Sequence, residues 1–81
     1  MIDVLLRGSA RNRMSLNEIV CRNLRVLRRR REFTQAKLAK RAKVSISYVS
    51  MIERAERSPP LETVERLAKA LAVDPLSLFR G

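Results

Sequence analysis

The stretch from Thr34 to Arg54, TQAKLAKRAKVSISYVSMIER, constrains this chain more than any other. It reads as two short helices, about Gln35 to Ala42 and about Ile46 to Arg54, joined by a tight turn at Lys43 and Val44. Leu38, Ala42, Val44, Val49 and Ile52 recur at spacings that carry them inward, while Gln35, Ser47, Ser50 and Arg54 fall on an exposed side. Ser45 is placed to cap the second helix. That helix therefore has one apolar face. Its other face is mostly small and polar, with Met51 and one long cation, Arg54. Small side chains let a helix backbone approach a partner closely.

The flanking segments supply the rest of a helical domain. Ser15 followed by Glu18 is a capping-box signature. Leu16, Val20, Leu24 and Leu27 then form an apolar stripe that predicts a helix ending near Arg30 or Arg31. Thr34 is an N-cap for the next helix, with Phe33 and Leu38 placed as a hydrophobic staple. Lys37 sits where a cation is unfavourable, near that helix's N-terminus. Ser58, Pro59 and Pro60 break the chain. Leu61, Val64, Leu67, Ala68 and Leu71 mark a fourth helix. Asp74-Pro75 starts a short fifth one containing Leu76, Leu78 and Phe79. The expected architecture is all-α: five short helices around one core over residues 15–81, preceded by an extension at 1–14. In that extension Ile2, Val4, Leu5 and Leu6 suit a short strand or helical turn. Gly8 to Arg13 reads as a flexible basic linker or a basic arm reaching toward a partner.

Charge narrows the partner. The chain has 81 residues, 18 Lys and Arg, 8 Asp and Glu, and a formal net charge of +10. That balance suits a polyanion. The excess is concentrated: Arg22 to Lys43 holds ten Lys or Arg against Glu32 alone, whereas Arg54 to Gly81 holds five against four acids. The positive charge thus lies on the first two helices, flanking the Ile46–Arg54 helix, where they would meet phosphates. A membrane-surface helix would need its apolar face free, and here the apolar stripes are required to close a small core. No apolar run approaches the ~20 residues of a membrane span.

Chemistry is scarce. With no His and one Cys, the chain offers neither a Cys/His zinc site nor an internal disulfide. Cys21, among Ile19, Val20 and Leu24, reads as a core filler. The two glycines, Gly8 and Gly81, make no phosphate loop. Glu53 and Glu56, three apart on a helix, have the spacing of acids that make intrahelical or interhelical salt links and not of a catalytic dyad. The reading is a non-enzyme without cofactor, metal or small-molecule effector, working in a reducing cytoplasm.

At this point the ordered pieces carry a resemblance. L-R-x-L-R from Leu24, T-Q-x-x-L-A-x-x-A from Thr34, V-S-x-x-Y-V-S-x-I-E-R from Val44 and P-x-x-x-x-x-x-L-A-x-A-L from Pro60 resemble the Cro/phage-repressor helix-turn-helix family, often called the XRE family. The restriction–modification controller proteins, small dimers of that family, are similar in length and in having a fifth helix. The resemblance implies that the second of the paired helices enters the major groove. It implies a phosphate contact and a bracing role for Gln35, with base-edge contacts from Ile46, Ser47, Ser50 and Met51. Arg54 matches a backbone-contacting position, and Arg28 with Glu53 matches a largely buried salt bridge. Lys37, Lys43 and Ser45 complete the expected DNA-facing set.

Three departures from the family pattern bear on local geometry. Lys43 and Ala55 stand where glycine is usual, so the recognition helix is expected to run on past Arg54. Pro60 replaces a capping serine and suits the first helical position. One short helix makes too few base contacts for useful specificity. A homodimer is therefore expected, with Leu76, Leu78 and Phe79 at its interface and double-stranded DNA and RNA polymerase as partners. The rival expectation is an antitoxin-type interaction module, which would carry a long partner-binding tail after the domain.

Overall fold

The computed structural model describes residues 14–81; the readings made for the segment before Met14 lie outside the described residues. Four α-helices follow in order: α1 Leu16–Arg30, α2 Gln35–Ala42, α3 Ile46–Glu53 and α4 Leu61–Ala70. A 3-10 helix, Pro75–Phe79, closes the described chain, and no strand occurs among the described residues. The all-helical expectation holds, but the fifth helix is a single 3-10 turn. Asp74 accounts for it. Its carboxylate accepts from the Leu76 N–H at 3.0 Å, and its carbonyl accepts from the Ser77 N–H at 2.9 Å and hydroxyl at 2.6 Å. The Asn23 amide then donates to the carbonyls of Leu78 (2.9 Å) and Arg80 (2.7 Å), tying the end of the turn to α1.

Side-chain caps begin three of the four α-helices. Ser15 and Glu18 form the reciprocal capping box on α1, at 2.9 and 3.1 Å. The Thr34 and Ser45 hydroxyls each accept a backbone N–H three residues on, both at 3.0 Å. α4 lacks such a cap, and Pro60 is its N-cap, not its first helical residue. Pro59 is buried and Pro60 stays extended at ψ 160°, so helical geometry starts only at Leu61.

All four α-helices end alike. Glu32, Lys43, Ala55 and Ala72 take φ values of 57–60°, the left-handed region, without a glycine among them. At each end the following N–H reaches five residues back, as from Phe33 to the Arg28 carbonyl and from Glu56 to the Met51 carbonyl, 3.1 and 2.8 Å. This is the Schellman closure, which satisfies carbonyls the helix leaves unpaired. It also stops α3 at Glu53, so the expected run-on past Arg54 does not occur.

Leu24, Leu38, Val49, Ile52, Leu67, Leu71 and Leu78 are wholly buried and draw every helix into one core. Burying each such side chain contributes about 1.5–3 kcal/mol. Leu16 and Leu61, expected in the apolar stripes, instead lie largely exposed at the first turns of α1 and α4. Cys21 is buried, and loss of solvent pushes its thiol pKa up, with the Glu18 charge adding to the shift.

Candidate nucleic-acid interface

α3 divides cleanly along its length. Val49, Ile52 and Glu53 are buried, whereas Ile46, Ser47 and Arg54 are exposed and Ser50 and Met51 half-buried. At 100° per residue the latter five span about 140° of arc, one continuous face. Ile46 is 53% exposed and puts a large apolar side chain at the start of this face. Ser45, at the head of this face, has its oxygen engaged by the Tyr48 N–H and keeps its hydroxyl proton for donation.

Glu53 locks the face in place from behind. Its carboxylate takes the Arg28 Nε at 2.6 Å and Nη2 at 3.0 Å, and the Gln35 amide at 3.1 Å. The third Arg28 nitrogen donates to the Phe33 carbonyl at 2.7 Å. One buried acid therefore fixes α1, the first residue of α2 and the end of α3 relative to one another. Arg28 is spent in doing so, and only Arg29, Arg30 and Arg31 of the four-arginine run are exposed. Arg31 also donates to the Ala72 carbonyl at 3.1 Å.

The cations of α2 have their own support. The Lys37 ammonium lies 4.5 Å from the centre of the Phe33 ring and the Arg41 guanidinium 5.0 Å from it. A cation over an aromatic face is attracted by the ring quadrupole, which offsets the poor placement of Lys37 at a helix start. Lys43 is exposed in the turn before α3, in the left-handed conformation. Behind it, Arg66 of α4 donates to the carbonyls of Ala42 and Lys43, at 2.7 and 2.8 Å, and so caps the end of α2.

Arg54 is not a free cation. Its Nε and Nη2 donate to the two oxygens of Glu56 at 2.8 and 3.2 Å, and its Nη1 donates to the Ser50 hydroxyl. Sequence reasoning missed this pairing because it placed Glu56 on a continuing helix. The signal was the residue between them, Ala55, at a position where a turn is usual.

The proposed dimer residues separate. Leu76 is 65% exposed and Phe79 partly exposed, but Leu78 is fully buried. Leu78 is a core residue and presents nothing to a partner. Leu16 and Leu61 instead share a shallow apolar groove with Val20, Pro59 and Phe79.

The chain matches the helix-turn-helix domain family over residues 21–78. It is 39% identical over 54 residues to the immunity repressor protein of Bacillus phage phi105, covering 67% of this chain and 38% of that protein. It is 34% identical over 62 residues to the HTH-type transcriptional regulator DdrOP3 of Deinococcus deserti, covering 76% of this chain and 48% of that one. The chain thus spans less than half the length of either relative. Its fold superposes on the crystal structure of the restriction-modification controller protein C.AhdI from Aeromonas hydrophila with a TM-score of 0.75 at 33% identity, over 78% of this chain and 96% of that one.

Proposed function

The chain belongs to the helix-turn-helix domain family, and from that membership we propose that it is a sequence-specific transcriptional regulator acting as a homodimer on double-stranded DNA. α3 lies in the major groove, with Gln35, Lys37 and Lys43 against the flanking phosphates. The observation that carries this reading is the exposed face of α3, Ile46–Ser47–Ser50–Met51–Arg54, held to α1 and α2 through the buried Glu53 carboxylate. A reading helix needs such a mounting, because its base-contacting groups must be held within about 0.5 Å of their productive positions.

The apolar members of the face set the style of recognition. Ile46 and Met51 meet thymine methyl groups, and the serines supply single hydrogen bonds. A dimer places two such helices about 34–36 Å apart on a two-fold symmetric operator. Leu76 and Phe79, with the exposed edge of α4, are the surface a second copy covers. Such a regulator works in the cytoplasm, where RNA polymerase is its further partner, and the controller-protein likeness makes a restriction–modification locus the first place to seek its operator.

The test is binding of the full chain to its own upstream DNA, footprinted first and then titrated against a random duplex from low to high salt. Affinity is expected to fall linearly on logarithmic axes as phosphate contacts are screened, with the footprinted site retaining its advantage throughout. Equal binding to both duplexes at every salt concentration sinks the regulator reading.

A further inference from the structure

Arg54 and Glu56 are two residues apart, a spacing at which helical side chains point away from each other. They meet here because the chain reverses between them. Ala55 takes φ 60°, its N–H donates to the Ile52 carbonyl, and the Glu56 N–H donates to the Met51 carbonyl, both at 2.8 Å. The turn swings the Glu56 carboxylate back onto the last turn of α3. It grips the guanidinium on one side only, through Nε and Nη2. Ser50, one turn earlier on the reading face, holds Nη1.

A guanidinium has five N–H donors, and three are used. The two that remain lie one on each terminal nitrogen. Two donors on the terminal nitrogens are what an arginine presents to the O6 and N7 acceptors of guanine in the major groove. We propose that Arg54 reads a guanine edge and is not a backbone contact, with Glu56 and Ser50 as the positioning residues that hold its fork toward the base. The inference rests on the DNA-binding reading above and names the chemistry of one position within it.

Electrostatics favour the base over the phosphate. A guanidinium already paired to a carboxylate has its charge offset, so it releases little from the counterion atmosphere of a phosphate. A phosphate approaching it would also meet the Glu56 carboxylate. A neutral base edge provokes neither conflict and still accepts both hydrogen bonds. The pair also limits side-chain wandering: a free arginine must be ordered on binding, and this one is already held at three nitrogens. Both side chains remain more than half exposed, at 56% and 54%, so the pair is open to solvent and to a partner.

The experiment is selection of binding sites by the full chain from a duplex library with randomised half-sites, repeated with Arg54→Ala and Glu56→Gln. Fold retention is checked by thermal melting, which exposed substitutions should leave near the wild-type value. The expected result is one symmetric position in the wild-type sites that is fixed as guanine. Both variants lose preference at that position by about tenfold or more, keep it elsewhere, and keep the wild-type salt slope. Two outcomes overturn the inference alone. In one, Arg54→Ala weakens all duplexes equally and lowers the salt slope by about one per subunit, the mark of a phosphate contact. In the other, Glu56→Gln tightens all duplexes without changing preference, which makes Glu56 a repelling surface acid. A wild-type protein that selects no sequence overturns the regulator reading and this inference with it.

Discussion

Among the described residues, two Arg–Glu pairs are built on one plan. In each, the carboxylate takes Nε and Nη2 of the guanidinium and the remaining nitrogen goes to a third group. For Arg28–Glu53 that group is the Phe33 carbonyl, and the side chains are 11% and 4% exposed. For Arg54–Glu56 it is the Ser50 hydroxyl, and the side chains are 56% and 54% exposed. The contrast shows that geometry alone does not assign a role. A buried pair cannot be broken cheaply, because each partner left alone is a desolvated charge. An exposed pair contributes little to stability, since water screens it, and its value lies in where it holds the arginine. The first pair mounts α3; the second, on the inference above, aims the arginine that caps it.

The largest effect should come from the buried pair. Glu53→Ala strands Arg28 in the core and removes the acceptor of Gln35, and is expected to cost about 3–5 kcal/mol in chemical denaturation. That is a large fraction of the roughly 5–15 kcal/mol that holds a typical domain together. Replacing both partners with apolar residues, Arg28→Met with Glu53→Leu, should cost less than Glu53→Ala alone, because no charge is left unpaired. Arg54→Ala should leave the denaturation midpoint close to wild type. If the two single variants shift it equally, the division into a mounting pair and an aiming pair collapses.

These two pairs also mark what was legible in the sequence. Caps are local chemistry, a side chain bonding a backbone group three residues on, and Ser15, Thr34 and Ser45 all announced themselves. The faces of α2 and α3 follow from periodicity. Arg28 and Glu53 are 25 residues apart, with no local signal joining them, and the pairing was reached only through family resemblance. Glu56 was missed because its position depends on Ala55 adopting a conformation that alanine does not prefer. Periodicity also reports direction but not depth. Leu16 and Leu61 point along the correct stripes, yet they overhang the core at the first turns of their helices, whereas Leu78, read as interface, is sealed within it. The two prolines fixed a break but not which residue would begin α4.

The next effect in size concerns the turn that holds the exposed pair. An L-residue in the left-handed region has its Cβ crowded by the following carbonyl, at about 1–2 kcal/mol. Glycine avoids this, but its unfolded chain has more freedom to lose. Ala55→Gly should therefore raise stability by about 1 kcal/mol or somewhat less, read from the denaturation midpoint at unchanged slope. It should also leave the Arg54–Glu56 contact intact, because it favours the φ already adopted. A loss of stability on this substitution would mean that the turn is maintained by packing and not in spite of the Ala55 backbone. The same reasoning applies to Lys43→Gly, before α3.

The smallest effect is a titration. The Glu56 carboxyl is held below the usual carboxylate range, chiefly by the hydrogen bond from Arg54, with desolvation opposing and the Arg54 charge assisting. Glu18 is held low by a different device, the hydrogen bonds of the Ser15 cap. A depressed folded-state pKa contributes stability that is complete above the unfolded value, about 4.3 for glutamate, and is lost as pH falls through the lower folded value. Stability and any guanine preference resting on Glu56 should therefore be unaffected by these groups from neutral pH to about pH 5, and should decline only below about pH 4. Carboxyl NMR titration separates the two acids. Arg54→Ala should move the Glu56 midpoint up toward the ordinary value and leave Glu18 in place, whereas Ser15→Ala, which keeps the larger backbone N–H bond and removes only the side-chain one, should raise Glu18 in part and leave Glu56 in place. If Glu56 titrates at the same pH with and without Arg54, the exposed pair is not formed in solution, and the comparison with Arg28–Glu53 fails at its weaker member.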